Sequence, residues 1–324
     1  MNATLKGKNL ITTQEWTTDE LEALFSLAAE LKAAKRERRP TPLLAAKTLY
    51  MIFFDASTRT RNSFETGMTQ LGGHGIYLSP DKMQISHGEN ARDTAKVLSR
   101  YGDGIAIRHC AYGEGNAYLT DVAKHADVPV LNMQCDVYHP CQILADYMTI
   151  RERFGNTKGL KLGVAWTSAP NYVRPLSVPQ SLILLMPRFG IDVTLAYPPE
   201  FKLMPHIEEQ AKANAKEAGT QFEITHEFED AFREADAVVP KSWGPLVTTQ
   251  DARKGLELIG EYPSWRCDKS HMALGKKRMI YMHPLPADRG REVTDEVIDG
   301  PQSVVYDEAE NRLHVQKALM ALTM

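Results

Sequence analysis

Cysteine is scarce in this chain: Cys110, Cys135, Cys141 and Cys267 are the only four in 324 residues, and no two have CxxC spacing. So few thiols in so long a chain give no disulfide framework, and all four are expected to be reduced and structural. An excess of positive charge is missing too. Lys and Arg number 38 against 41 Asp and Glu, a net charge of -3, which argues against nucleic-acid binding through bulk basicity. Any affinity for anions must therefore be local. Apolar runs such as "LILLM" at 182–186 are far too short to cross a bilayer, and the opening "MNATLKGKNLITTQEW" has no apolar core followed by a cleavage site. These absences lead to the expectation of a cytoplasmic protein with neither membrane nor nucleic acid as partner. Neither GxxxxGK[ST] nor GxGxxG occurs, so the common nucleotide cradles are not indicated.

What is present is an alternation. With 43% hydrophobic and 24% charged residues the chain can bury a sizeable core and is long enough for two domains. Strand-like runs occur at 49–54, 75–78, 104–108, 128–133, 161–166, 193–197, 222–225, 237–240 and 279–283, with helical patterns between them. That order predicts α/β architecture, two doubly wound parallel sheets with covering helices. In "RNSFETGMTQLGG" the residues Phe64, Met68 and Leu71 share a helical face, and Gly72 and Gly73 suit a left-handed stop. The helical stretch "HPCQILADYMTIRERFG" ends at Gly155, near which a domain boundary is expected. The final "DEAENRLHVQKALMALTM" reads as a helix needing a surface to cover. The expected division is 1–154 with 305–324 as one domain and 155–304 as the other.

In an open parallel sheet, ligands bind beyond the carboxyl ends of the strands. The residues at those ends form a pattern: "DASTRTR" after the first strand, Arg108 and "HC" after the third, "QCDVYHPCQ" after the fourth, "KSWGP" after the eighth and "HPLPAD" after the ninth. Arginine, histidine, glutamine, lysine and tryptophan from both halves would suit an interdomain active site. The first is the most informative. Ser57, Thr58, Arg59, Thr60 and Arg61 follow a buried strand and open a helix, where free backbone N–H groups, the helix dipole, hydroxyls and guanidinium forks can meet one phosphate. A structural alternative is a capped, solvated basic turn. An enzymatic rival makes strand-end Asp55 the nucleophile of a magnesium-dependent phosphohydrolase, but Ser57 stands where a second acid is needed.

The motifs "STRTR" (57–61), "GEN" with "DTAKVLSRYGDGIAIRH" (88–109), "HPCQILAD" (139–146), "HPLP" (283–286) and "DEAENRLH" (307–314) together resemble the aspartate and ornithine carbamoyltransferase superfamily, in family order over nearly the whole chain. The resemblance implies a homotrimer with shared sites and transfer of a carbamoyl group from carbamoyl phosphate to an amino-acid amine. It implies that Ser57, Thr58, Arg59, Thr60 and Arg312 hold the phosphate, and that Arg108, His139 and Thr60 stabilise the oxyanion. Gln142 and the carbonyls of Pro284 and Leu285 would accept from the carbamoyl NH2. His87 lies in a loop that in the family reaches into the neighbouring subunit. No metal or organic cofactor is required, since positioning and electrostatics suffice.

The proline-rich "WTSAPNYVRPLSVPQ" (166–180) and "KSWG" (241–244) resemble the knotted branch of acylornithine carbamoyltransferases, implying a trefoil knot in the second domain. Lys241, Ser242, Trp243 and Gln180 would then hold the acceptor, an ornithine-like and possibly N-acylated amino acid. This sequence departs from that branch at "LNMQCDVYH" and at His271, and carries Pro284 where ornithine-type enzymes carry cysteine; its "QCD" and "GEGNAY" segments look closer to an orphan knotted transcarbamylase branch. An aspartate-type or other amine acceptor, the phosphohydrolase and a non-catalytic phosphometabolite-binding protein remain as alternatives. Structural readings also remain for single residues: His139 as a helix cap, "HPLP" as a rigid turn, Arg108 in an edge salt bridge and Trp243 as core.

Overall fold

The structure, a computed structural model, describes residues 5–324. The chain divides into two compact units: residues up to Ala145 together with Glu310–Met324, and Asp146–Ala309. Strands form where β-branched and aromatic residues bunch between helical patterns. In the first unit β1 (Thr48–Phe53), β2 (His74–Leu78), β3 (Gly104–His109) and β4 (Val130–Cys135) make a parallel sheet of order β2-β1-β3-β4. In the second, β5 (Lys161–Trp166), β6 (Asp192–Ala196), β7 (Phe222–Thr225), β8 (Ala237–Lys241) and β9 (Ile280–Tyr281) make another, of order β7-β6-β5-β8-β9. Among the described residues every strand pairing in both sheets is parallel. Each order reverses once, at β1/β3 and at β5/β8, and the connections there leave in opposite directions to open a crevice at the strand ends.

Helices α1 (Thr18–Arg36), α2 (Thr58–Gln70), α3 (Ala91–Tyr101) and α4 (Gly115–His125) belong to the first unit. The division falls within α5 (Pro140–Phe154) and again within α11. The second unit holds α6 (Ser177–Leu185), α7 (Pro205–Ala218), α8 (Ala252–Gly260), α9 (Lys269–Met272) and α10 (Asp295–Ile298), and α11 spans Val305–Thr323. Local chemistry sets several boundaries. Thr17 and Glu20 form a capping box at α1, Ser57 caps α2, and α2 stops where Gly72 takes φ +80. The ninth strand is shorter than its apolar run. Met282 still donates to Val238 at 3.0 Å, but His283 turns its N–H to Glu308 at 2.9 Å, and Pro284 has none to give.

Helix α11 lacks a one-sided apolar stripe because polar and apolar faces are buried alike: Asn311, Arg312, His314 and Lys317 lie inside with Val315, Leu319 and Met320. Its last turns run close to α2, where a Cβ on Gly67 would come within 2.9 Å of Met320 Cε. A tighter approach occurs in the second unit, where a Cβ on Gly163 of β5 would lie 1.8 Å from the carbonyl oxygen of Ala231. Backbone cannot yield there as a flexible side chain would. Gly163→Ala is therefore expected to cost more than about 3 kcal/mol and to give an insoluble or low-melting protein, checked by thermal denaturation of the soluble fraction. The four cysteines are free, and among the described residues no helix is long and apolar enough to cross a membrane.

Candidate active site

The switch point of the first sheet gathers the residues that the strand ends suggested. Beyond β1 the chain passes through Phe54, Asp55 and Ala56 to Ser57, whose extended backbone (φ -155, ψ 116) turns it into α2. Its hydroxyl accepts from Thr60 N at 3.2 Å, which caps the helix. Thr58 is exposed, Arg59 half-buried and Thr60 wholly buried. Thr60 Oγ1 accepts a hydrogen bond from Arg312 Nη2 of α11. The neighbouring Arg61 diverges: it is exposed, paired with Glu65 at 3.0 Å, and lies 4.0 Å from the ring centroid of Tyr77. Asp55 accepts from the Cys110 N–H at 2.7 Å, which ties the end of β1 to the end of β3.

Arg108 stands at the end of β3, opposite Phe53 on one side and Gln134 on the other. The pairing with β4 shifts between Ile107 and Arg108, moving from Asn132 to Gln134. That irregularity places the Gln134 amide oxygen to accept from Arg108 Nη1, the kind of re-aiming bulges perform beside functional sites. His139 and Gln142 open α5, both almost fully buried, and the Gln142 N–H returns to the His139 carbonyl at 3.1 Å. Burial first, then the positive charges of Arg312, Arg108 and Arg59, hold the His139 imidazole well below its usual 6.5. Three guanidinium groups thus surround one neutral imidazole at the mouth of α2. His87 stands apart on an exposed turn, its Nδ1 3.2 Å from Gln84 Oε1.

At the switch point of the second sheet, Lys241 ends β8 with its side chain only 14% exposed. Its Nζ lies 3.2 Å from Glu292 Oε1 and donates to the Ser242 carbonyl at 3.1 Å. Ser242 donates to the same carboxylate oxygen from its N–H at 2.7 Å and its hydroxyl at 2.6 Å. Trp243 is wholly buried: its indole N–H goes to the Phe201 carbonyl at 2.7 Å, and its own carbonyl takes the indole N–H of Trp166 at 2.8 Å. Gln180, on α6, is also buried and accepts from Met204 N at 3.1 Å. In "HPLP" the Leu285 N–H donates to His283 Nδ1 at 2.9 Å, Leu285 has φ 50, and the Leu285–Pro286 peptide is cis. Among the described residues no group of three His, Cys, Asp or Glu could hold a metal ion.

Residues 8–152 match the family described as "Aspartate/ornithine carbamoyltransferase, carbamoyl-P binding domain", and residues 175–323 match its "Asp/Orn binding domain". The ornithine carbamoyltransferase of Thermococcus kodakarensis is 40% identical over 324 residues, covering 100% of this chain and 98% of that one. The chain belongs to the aspartate/ornithine carbamoyltransferase family. As a member it is a carbamoyltransferase, with the two parallel-sheet α/β domains of that fold. The solved ornithine carbamoyltransferase of Pyrococcus furiosus superposes with a TM-score of 0.89 at 39% identity, covering 99% of this chain and 98% of that one. An acetylornithine transcarbamylase solved with acetylcitrulline gives 0.89 at 35% identity, covering 97% and 98%.

Within this carbamoyltransferase, strand-end reasoning singled out Arg59, Thr60 and Arg108 in the first unit and Lys241 in the second, and it missed one partner in each unit. Gln134 was visible only as part of "QCDVYH", and nothing marks it as a partner of Arg108 except the register shift. Glu292 carries no local signal beyond lying nine positions after His283. The buried histidines also make a prediction. His139 and His283 are both held below 6.5 by burial, so the unfolded chain binds protons that the folded chain refuses. Their contribution to stability is complete above pH 6.5 and is lost as pH falls toward their folded values. Each contributes a slope of about 1.4 kcal/mol per pH unit in that window. Urea midpoints should fall between pH 7 and pH 5.5, and equal midpoints would contradict the assignment.

Proposed function

We propose that this enzyme transfers the carbamoyl group of carbamoyl phosphate to the primary amine of an ornithine-like amino acid, with or without an N-acyl group, and releases phosphate. The observation that carries this reading is the neutral His139 among Arg59, Arg108 and Arg312 at the N-terminus of α2. The three cations and the helix end suit a dianion whose charge grows on the leaving phosphate, held by Ser57, Thr58, Arg59, Thr60 and Arg312. A neutral imidazole can donate a hydrogen bond to the carbamoyl oxygen without adding a fourth like charge. Arg108, His139 and Thr60 take that role. The Gln142 amide oxygen and the carbonyls of Pro284 and Leu285 accept from the carbamoyl NH2.

The amine lone pair forms the new C–N bond. The C–O bond to phosphate then breaks, with its electron pair leaving on phosphate, and the amine proton goes to solvent. Lys241 is the candidate for the acceptor's carboxylate, Ser242 and Gln180 are the candidates for its polar end, and Trp243 packs beneath its methylenes. A homotrimer in which a neighbour's His87 completes each site belongs to the same reading, as does a cytoplasmic setting. So does a trefoil knot in the second unit. It is supported by Ser168 N bonded to the Trp265 carbonyl at 2.9 Å and Gly244 N to the Arg174 carbonyl at 3.0 Å. A Cβ on Gly244 would lie 1.9 Å from the Tyr172 oxygen, leaving no space between those loops.

The test is a ureido-product assay with carbamoyl phosphate against ornithine, N-acetylornithine, N-succinylornithine and aspartate. One of the ornithine-like amines should be carbamoylated stoichiometrically with phosphate release. Phosphate release without a ureido product would overturn the reading in favour of a hydrolase.

A further inference from the structure

Glu292, in the second unit, is fully buried and bonded through both of its carboxylate oxygens. Its two oxygens serve two different segments. Oε1 receives Ser242 N at 2.7 Å, Ser242 Oγ at 2.6 Å and Lys241 Nζ at 3.2 Å. Oε2 receives Asp288 N at 2.7 Å and lies 3.2 Å from His283 Nε2. His283 passes the constraint on. Its Nδ1 accepts from Leu285 N at 2.9 Å, so the neutral ring carries its hydrogen on Nε2, facing Glu292. One carboxylate thereby joins the end of β8 to the "HPLP" turn through a single chain of contacts.

We propose that Glu292 is a positioning residue for carbamoyl transfer, holding Lys241 and Ser242 in register with the backbone of Leu285 and setting the tautomer of His283. The assignment rests on the roles given above to Lys241, Ser242 and Leu285. Burying a carboxylate disfavours its charge, yet Lys241, His283 and Ser242 together keep Glu292 well below the usual carboxylate range. Lys241 faces Glu292, Arg174 and Asp288: burial and Arg174 lower its pKa, whereas Glu292 and Asp288 raise it. Arg174 is itself ion-paired with Asp288, so Glu292 is the principal counter-charge left to Lys241. Remove its charge and the ammonium group is left in a buried, positively biased place.

The test uses Glu292→Gln in the full-length enzyme. The expected result is a drop of about 100-fold in kcat/KM for the amine, the scale on which a small misplacement acts, with a loss of carbamoyl-phosphate affinity of less than about tenfold through Leu285. The alkaline limb of that pH profile should move to lower pH by at least one unit as Lys241 loses its counter-charge, a readout that loss of packing alone would not produce. Glu292→Asp should restore part of the rate and return the limb. An unchanged amine kcat/KM and pH profile in folded Glu292→Gln protein would overturn the proposal. If that variant does not fold, the wild type decides: imidazole 15N shifts for His283 should report hydrogen on Nε2 from pH 6 to 9, and hydrogen on Nδ1 would refute the relay. A wild type without carbamoyl transfer is a separate outcome, refuting the function rather than the role of Glu292.

Discussion

An Arg59→Ala enzyme is expected to bind carbamoyl phosphate about 100- to 1000-fold more weakly than the wild type. Arg59 is half-buried at the first turn of α2, beside the cap formed by Ser57, and close enough to His139 to help depress its pKa. A guanidinium there can give two parallel charge-assisted bonds to phosphate oxygens, together contributing about 3 to 4 kcal/mol with each at the lower end of its range. The helix end and the remaining arginines are left in place by the substitution, so the fold should stand and the loss should appear as affinity. Titration calorimetry with carbamoyl phosphate measures it directly. An affinity within threefold of wild type would remove Arg59 from the phosphate site and with it the reading of α2 as an anion-binding mouth.

Arg108→Ala should behave differently. Its side chain is fixed at the end of β3 by Gln134, and its charge is one of the three bearing on His139. A donor aimed at charge that appears only in the transition state lowers the barrier more than it tightens ground-state binding, so kcat should fall by about 100- to 1000-fold with a much smaller change in carbamoyl-phosphate affinity. Arg108→Lys keeps the charge without the fork and should recover only part of the rate. Saturation kinetics separate the two effects. A variant that loses affinity and keeps kcat would reassign Arg108 to phosphate binding.

Much of the architecture was legible because each strand is a short apolar run bounded by helix-start or turn residues. β5 and β7 coincide with the runs at 161–166 and 222–225, and the start of α2 was readable because Ser57 is a favoured cap directly behind a buried strand. Where the reading fell short, the cause was tertiary. The run at 279–283 overstates β9, because Glu308 takes the His283 N–H that a longer strand would have used. Nothing in the sequence tells that Lys241 is also paired with Glu292, since the two positions lie 51 residues apart. Likewise, no pattern in "KSWG" tells that the indole N–H of Trp243 is occupied by Phe201. Partners so distant along the chain leave no periodic trace, whereas caps, turns and alternation do.

The placement of α11 bears on how the molecule comes into being. Arg312 and the residues after it complete the first unit, yet they leave the ribosome only after all of Asp146–Ala309 has been made. At roughly 5 to 20 residues per second, Thr60 waits many seconds for its guanidinium partner. Until then a nascent chain has the helix mouth without one of its three cations. The N-terminus of α2 thus acquires its full set of charges only after the whole of the second unit has been synthesised.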